Sequence, residues 1–347
     1  MMIEVRTCAR LHLGLLDHNG EQGRLYGSIG LAINRPHLLL RAKPADELKV
    51  DGGEISRITS YAQRFIARYR VPKGAHLNLA ASIPAHVGLG SGTQLGLAVG
   101  TALARLAGLR LSVAEIAVAV ERGMHSGIGI ATFQHGGFVL DGGHRLLPGQ
   151  PAMPGAQEKA RQVEKGGVPP LLFRHPMPRD WYFVVVIPDL GPGFSGEKEQ
   201  SAFLELPVAP ASLVEKISWV LLMKMLPALV EKDAVRFGQA LTGIQCMVGD
   251  CFASVQGGRF ATPVLEKLVQ FLLESGAAGA GQSSWGPTIY GLVVGKERAR
   301  QVALQVKACL DSMGGGRVLC VQPQNRGAYV RILKGSDYEE NPHSIGH

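Results

Sequence analysis

Apolar and polar positions divide the chain into short periodic segments separated by glycine-rich turns. Ile3 to Leu11 and Leu31 to Ala42 read as strands, and His76 to Ala81 alternates as a half-buried strand. Ile55 to Tyr69 repeats at the helical period. Leu95 to Leu106 is rich in Gly and Ala, as a helix packed closely on a sheet should be, and it stops at Gly108. Ser112-Val113-Ala114-Glu115 is a capping box, and the helix it opens is expected to stop at Gly123. Gly136 to Asp141 then reads as a strand entering a turn.

Pro148 to Pro178 holds many Pro and Gly residues around a charged stretch and is the best boundary candidate. Beyond it the pattern predicts a strand over Tyr182 to Ile187, and helices over Ala211 to Val230 and Ala234 to Val248. A helix follows the Thr262-Pro263 cap, and a strand pair flanks the loop Gly279 to Pro287. A helix over Glu297 to Ser312 and strands near Val318 and Val330 complete the chain. The expected fold class is α/β (α+β): an N-terminal phosphate-binding domain over 1–165 and a C-terminal ferredoxin-like domain over 166–334. Residues 335–347 read as a disordered tail.

The segment joining the His76–Ala81 strand to the Leu95 helix is Ser82-Ile83-Pro84-Ala85-His86-Val87-Gly88-Leu89-Gly90-Ser91-Gly92-Thr93-Gln94. Glycines there let backbone N–H groups approach a ligand, and the helix start adds unpaired donors and a positive dipole end. The segment is a cradle for phosphate. With 347 residues, 46% of them hydrophobic, the chain can build two cores. A net charge of +8 fits a polyanionic small substrate as well as nucleic acid, but the basic residues are scattered. Only 6% of residues are aromatic, which argues against a stacking surface for single strands. No apolar stretch reaches membrane length, so the cytoplasm is the expected location. The five cysteines, Cys8, Cys246, Cys251, Cys309 and Cys320, do not form a disulfide framework by number or spacing.

Two common phosphate motifs fail. Gly191 to Lys198 has Glu197 where a P-loop needs lysine, and the Gly88 loop has Thr93 where a dinucleotide fingerprint needs its third glycine. The chain instead resembles the GHMP kinase superfamily. Pro84 to Ser91 matches its phosphate-binding motif. Gly276-Ala277-Ala278-Gly279-Ala280-Gly281 is similar to its C-terminal glycine-rich motif, and Glu121-Arg122-Gly123-Met124-His125-Ser126-Gly127-Ile128 to its central segment. These kinases usually place an aspartate two residues after the Ser-Gly pair as catalytic base. Here that position is Gly129. Glycine accepts no proton, so ordinary kinase chemistry loses its base.

A narrower branch of the superfamily, the beta-ribofuranosylaminobenzene 5'-phosphate synthases, resembles the chain over most of residues 3 to 333. The segments that carry this are Ala9 to Asp17, His86 to Gln94, Ser126 to Gly143, Gly193 to Phe203 and Gln282 to Pro287. The resemblance implies condensation of phosphoribosyl pyrophosphate with 4-aminobenzoate or 4-hydroxybenzoate to a C-riboside, with loss of pyrophosphate and carbon dioxide, in methanopterin biosynthesis. It implies pyrophosphate binding at Gly88, Gly90, Ser91, Gly92 and Thr93, and a magnesium (or manganese) ion at Ser91 and Glu121. Arg10 is expected to clamp the ribose phosphate or the benzoate carboxylate. His12 is expected to meet the para substituent or the leaving group, and Asp17 the ribose hydroxyls or only a turn. Ser126 and Gly127 would face the benzoate or ribose. Ser195 and Gly196 would take the 5'-phosphate. Gln282, Ser283, Ser284 and Trp285 would line the acceptor side, with Trp285 on the benzoate ring. The resemblance also implies a homodimer. Two alternatives remain open: an ATP-dependent small-molecule kinase using Asp141 as a displaced base, and a non-catalytic nucleotide-binding protein.

Overall fold

The computed structural model describes residues 1–71, 74–147, 166–191 and 205–333. Its first part contains β1 (Met2–Asp17), β2 (Arg24–Pro44), β3 (Leu48–Gly52), α1 (Ile55–Tyr69), β4 (Ala75–Ala81), α2 (Ser91–Leu106), α3 (Val113–Ala119), α4 (Ile128–His135), β5 (Phe138–Asp141) and β6 (His144–Arg145). Then follow β7 (Leu171–His175), β8 (Trp181–Pro188), α5 (Ala211–Val220), a π turn (Leu221–Met225), α6 (Leu226–Val230) and α7 (Ala234–Gln256). The last elements are α8 (Pro263–Glu274), β9 (Gly279–Gln282), β10 (Ile289–Val294), α9 (Lys296–Asp311), β11 (Gly316–Val321) and β12 (Tyr329–Leu333).

The long strands β1 and β2 pair antiparallel and form the spine of the first sheet, ordered β12-β1-β2-β4-β3, with β5, β6 and β7 added along β2 and β5. Register shifts between Cys8 and Arg10 and between His12 and Gly14 interrupt the β1–β2 ladder. Such bulges bend a strand and re-aim its side chains. They fall on the stretch that presents Arg10 and His12. α1 buries Ile58, Tyr61, Ala62 and Phe65, one face at the helical period, against α2.

The second sheet runs β11-β8-β10-β9, all antiparallel. With helices between β8 and β9 and between β10 and β11, this is the ferredoxin-like order expected from the sequence. Its central strand β8 is apolar throughout because both faces are covered. Val184 and Val186 pack with α8 and α9, while Phe183 and Val185 join the core shared with the first sheet and α7.

Three local differences from the sequence pattern have physical causes. The Ser112–Glu115 capping box forms, but α3 ends at Ala119 because Glu121 takes a left-handed backbone at φ 55°. α7 runs past Val248 to Gln256; Gly249 lets Arg259 pack against the helix, since a side-chain carbon at Gly249 would lie 2.3 Å from the Arg259 carbonyl. β7 and β12 pair into the first sheet, β12 on β1 and β7 on β5. Sheet membership therefore does not follow a linear cut at 165. The stretch 148–165, Ser195, Gly196 and residues 335–347 lie outside the described residues.

Candidate active site

Between the two sheets lies a cavity of about 250 Å³. It is bounded by β1, the start of α2, the turn before α4, α7 and the loop after β9. Arg10, His12, Thr93, Glu121, Ser126, Gln282, Ser284 and Trp285 all line it.

The phosphate loop owes its position to contacts with β1 and with the C-terminal loop. Arg10 donates from Nη1 to the Gly88 carbonyl at 2.5 Å, and its backbone N–H donates to Leu89 O at 3.1 Å. Ser283, fully buried, donates to Gly88 O at 2.7 Å and accepts from the His12 N–H at 3.0 Å. A side-chain carbon at Gly88 would lie 2.2 Å from Ser283 O. The glycine is therefore required by loop-to-loop contact. Ser283 serves as this clamp and is not among the residues lining the cavity.

α2 begins at the buried Ser91, with Gly90 as an N-cap that offers no side-chain acceptor. Its first N–H groups thus keep their donor capacity, at the positive end of the helix dipole. Two guanidinium groups converge over this end. A side-chain carbon at Gly92 would lie 3.0 Å from Arg57 Nη2 and 3.2 Å from Arg122 Nη2. Arg57 also pairs with Glu54, and Arg122 with the Tyr61 hydroxyl. The Nε of Arg122 is buried and has no acceptor among the described residues. Neither arginine was singled out in the sequence. Arg122 stood in the central segment beside Glu121, whereas Arg57 looks like any surface charge of α1.

Glu121 lines the cavity rim, and its half-exposed carboxylate pairs with Arg64 at 3.1 Å. Among the described residues no three His, Cys, Asp or Glu side chains form a metal cage. Of the two residues expected to hold an ion, Glu121 lines the cavity, whereas Ser91 is buried at the start of α2 and does not.

At the opposite end Trp285, Phe252 and Phe260 supply aromatic lining, and Arg259, paired with Asp250, is the charged side chain beside them. Trp285 is buried against Phe252, ring centroids 4.6 Å apart, with Leu15, Leu25 and Tyr26 in the same cluster. It both packs the core and lines the cavity. Burial, and then Arg10 and His18, push the His12 imidazole down to about 3; burial lowers His18 to about 4, and burial with His144 lowers His125 to about 4. These rings are neutral at pH 7. Gln282 spends its side chain on neighbours, accepting from Ala261 N and donating to Ser284 O. Gln245 does likewise, donating to Leu13 O at 2.7 Å and accepting from Gln282 N at 2.8 Å.

Gly127 and Asp141 stand behind the cavity. Asp141 is buried and accepts from Gly127 N, Gly143 N and the Ser28 hydroxyl at 2.9, 2.9 and 2.6 Å. Asp17 caps a turn, accepting from Asn19 N at 2.6 Å and Gly20 N at 2.8 Å, and is not a lining residue. At Gly129 a side-chain carbon would lie 2.8 Å from the Thr93 methyl.

Comparison with known proteins agrees with this fold. Residues 56–137 match the model of the GHMP kinases N terminal domain, and 225–312 that of GHMP kinases C terminal. The homoserine kinase of Cytophaga hutchinsonii shares the fold at a TM-score of 0.67 and 16% identity, over 95% of this chain and 97% of that one. The mevalonate kinase of Methanococcus jannaschii shares it at 0.64 and 14%, over 94% and 98%. Closer in sequence are the beta-ribofuranosylphenol 5'-phosphate synthases. That of Methanothermobacter thermautotrophicus is 34% identical over 95% of this chain and 99% of its own length. That of Archaeoglobus fulgidus is 38% identical over 95% and 100%. With relatives 34% and 38% identical that match nearly end to end on a GHMP fold, the chain belongs to the beta-ribofuranosylphenol 5'-phosphate synthase family of the GHMP kinase superfamily.

Proposed function

We infer that the chain is a decarboxylating phosphoribosyltransferase of methanopterin biosynthesis, joining phosphoribosyl pyrophosphate to 4-hydroxybenzoate or 4-aminobenzoate. The observation that carries the reading is one cavity with a cationic, donor-rich end at α2 and an aromatic end at Trp285.

The reaction needs a leaving pyrophosphate held, a cationic ribose C1 stabilised and a benzoate ring aligned behind it. The N–H groups of Ser91, Gly92 and Thr93, with Arg122 and Arg57, suit the pyrophosphate. Their donors are fixed before the reaction, which is where electrostatic catalysis gains most. Arg10, already anchored to Gly88, is placed to take a phosphate or the benzoate carboxylate. Holding ring carbon and ribose C1 in line contributes up to about 7–11 kcal/mol. The aromatic walls, with the uncharged imidazoles of His12 and His125, would reduce the hydration of a carboxylate and favour release of carbon dioxide.

A magnesium or manganese ion belongs to this proposal. Ser91 and Glu121 make a sparse oxygen set, which suits an ion that keeps several waters and takes its other ligands from substrate phosphates. When bound it would neutralise charge on the departing pyrophosphate. The kinase alternative relies on Asp141 as a displaced base, and it is weakened because Asp141 is buried behind the cavity and does not line it. Self-association, implied by the resemblance, is supported by Trp219, Leu222 and Met223, which stand exposed near the π turn. No helix among the described residues is long and apolar enough to cross a membrane.

The test is product identification. Protein, phosphoribosyl pyrophosphate, magnesium and each benzoate should give a C-riboside, read by NMR as an anomeric proton coupled to a ring carbon. An N- or O-riboside, or phosphorylation from ATP, would overturn the reading.

A further inference from the structure

The deep side of Ser126 continues into a chain of hydroxyls. Ser126 Oγ lies 2.7 Å from Ser28 Oγ, which in turn donates to Asp141 Oδ2 at 2.6 Å. Ser28 has one proton, and it points at the carboxylate. Ser126 must therefore donate its own proton to Ser28. It also accepts from Ile128 N at 3.2 Å, which leaves one acceptor position on Ser126, the residue of the three that lines the cavity. The chain thus presents the cavity with an acceptor, backed by a carboxylate two hydroxyls away.

We propose that Ser126, Ser28 and Asp141 form a proton relay that takes the para-hydroxyl proton of a 4-hydroxybenzoate acceptor. This rests on the transferase reading above. As ring carbon 1 bonds to ribose C1, the C–O bond to pyrophosphate breaks and its electron pair leaves with pyrophosphate. The para O–H releases its proton to Ser126, Ser126 passes its own to Ser28, and Ser28 passes its own to Asp141. The ring becomes a dienone. The bond to the carboxylate then breaks, its electron pair restores the aromatic ring, carbon dioxide leaves, and the proton returns along the relay to the phenolate oxygen. A phenol titrates near ~10, whereas a neutral aniline N–H does not titrate in water, so the relay favours the hydroxy acid over the amino acid.

Burial pushes the Asp141 carboxyl up to about 6, against hydrogen bonds from Ser28, Gly143 and Gly127. At neutral pH it is ionised and ready to accept. Neighbouring elements bring Arg24 and Tyr26 on β2, His125 before α4, His144 on β6, and Arg174 and His175 on β7. Arg24 is committed to the carbonyls of Gly142 and Gly143, and the His125 and His144 rings are held neutral by burial. Asp141 and Ser28 act through Ser126 and are positioning residues.

The experiment compares wild type with Ser126→Ala, using 4-hydroxybenzoate and its more acidic 3-fluoro derivative across pH 5 to 10. Ser126 ends on the cavity, so this variant avoids the buried hydrogen bonds that Asp141→Asn would break. The expected result is a kcat loss on the order of 100-fold with 4-hydroxybenzoate at pH 7 and little change in KM. The loss should shrink with the fluorinated acid and at high pH, and the wild-type acid limb should disappear. Equal losses for both acids at every pH, with the limb unchanged, would overturn the relay and leave the transferase reading standing. No carbon dioxide from wild type with these hydroxy acids would overturn the relay, and no release with 4-aminobenzoate as well would overturn the transferase reading too.

Discussion

The methyl group of Thr93 occupies the space that a side chain at Gly129 would need: a carbon built on Gly129 would come within 2.8 Å of Thr93 Cγ2. The two residues belong to different helices, α2 and α4, and close against each other. Gln94, fully buried, fixes the same contact by donating to Gly129 O at 2.8 Å. Gly129→Asp should cost about 1–3 kcal/mol by overpacking and should not create ATP-dependent phosphorylation. Thermal unfolding and an ATP turnover assay check both halves.

Arg122 and Arg57 should act on the donor. Arg122→Ala should raise the KM for phosphoribosyl pyrophosphate by about 10- to 100-fold, the worth of a charge-assisted hydrogen bond of ~1.5–3 kcal/mol. The benzoate KM should change little. The Arg57→Ala effect should be smaller and should fade with added salt, because that guanidinium lies partly exposed beside Glu54.

Ser91→Ala should weaken donor and metal dependence together, whereas Trp285→Phe should mainly raise the benzoate KM. Trp285 packs on Phe252 and is buried, so Trp285→Ala would also cost about 3–5 kcal/mol of stability. The Phe variant separates binding from folding. Equal loss toward both substrates in both variants would remove the division of the cavity into two ends.

Acid should destabilise the protein. His12, His18 and His125 have folded values of about 3, 4 and 4, below the ordinary 6.5. As pH falls from 6.5 toward 4, the unfolded chain takes up protons that these buried rings refuse, and each group removes up to about 1.4 kcal/mol per pH unit. Asp141, raised to about 6, works in the opposite direction between about 3.8 and 6. Three groups outweigh one, so Tm should drop steadily from pH 6.5 to pH 4. A flat Tm over that range would contradict neutral histidines in the cavity wall.

The sequence carried the parts of this site that are local. A strand, a run of glycines and hydroxyls and a helix start lie within one stretch from Ser82 to Gln94, so the phosphate loop can be read directly. The ferredoxin-like order is also readable, since β8 to β11 keep clear periods. What needed the fold is long-range. Ser28 sits inside the apolar strand β2 and meets Ser126 only after β2 pairs with β5. Gln245 looks like an ordinary core position of α7, and Phe252 faces the cavity because that helix continues past Gly249. β12 joins β1 through Leu333 opposite Met2, a pairing between opposite ends of the chain that no local period reveals. α4 is short and begins immediately after Gly127, which hides its helical period.

The central claim is that one cavity couples a pyrophosphate-leaving donor to a decarboxylating ring. Release of labelled carbon dioxide from carboxyl-labelled 4-hydroxybenzoate or 4-aminobenzoate tests it most directly. Release that requires phosphoribosyl pyrophosphate, and that ATP cannot support in its place, is the predicted result. No release with either acid, or release independent of the donor, would contradict it.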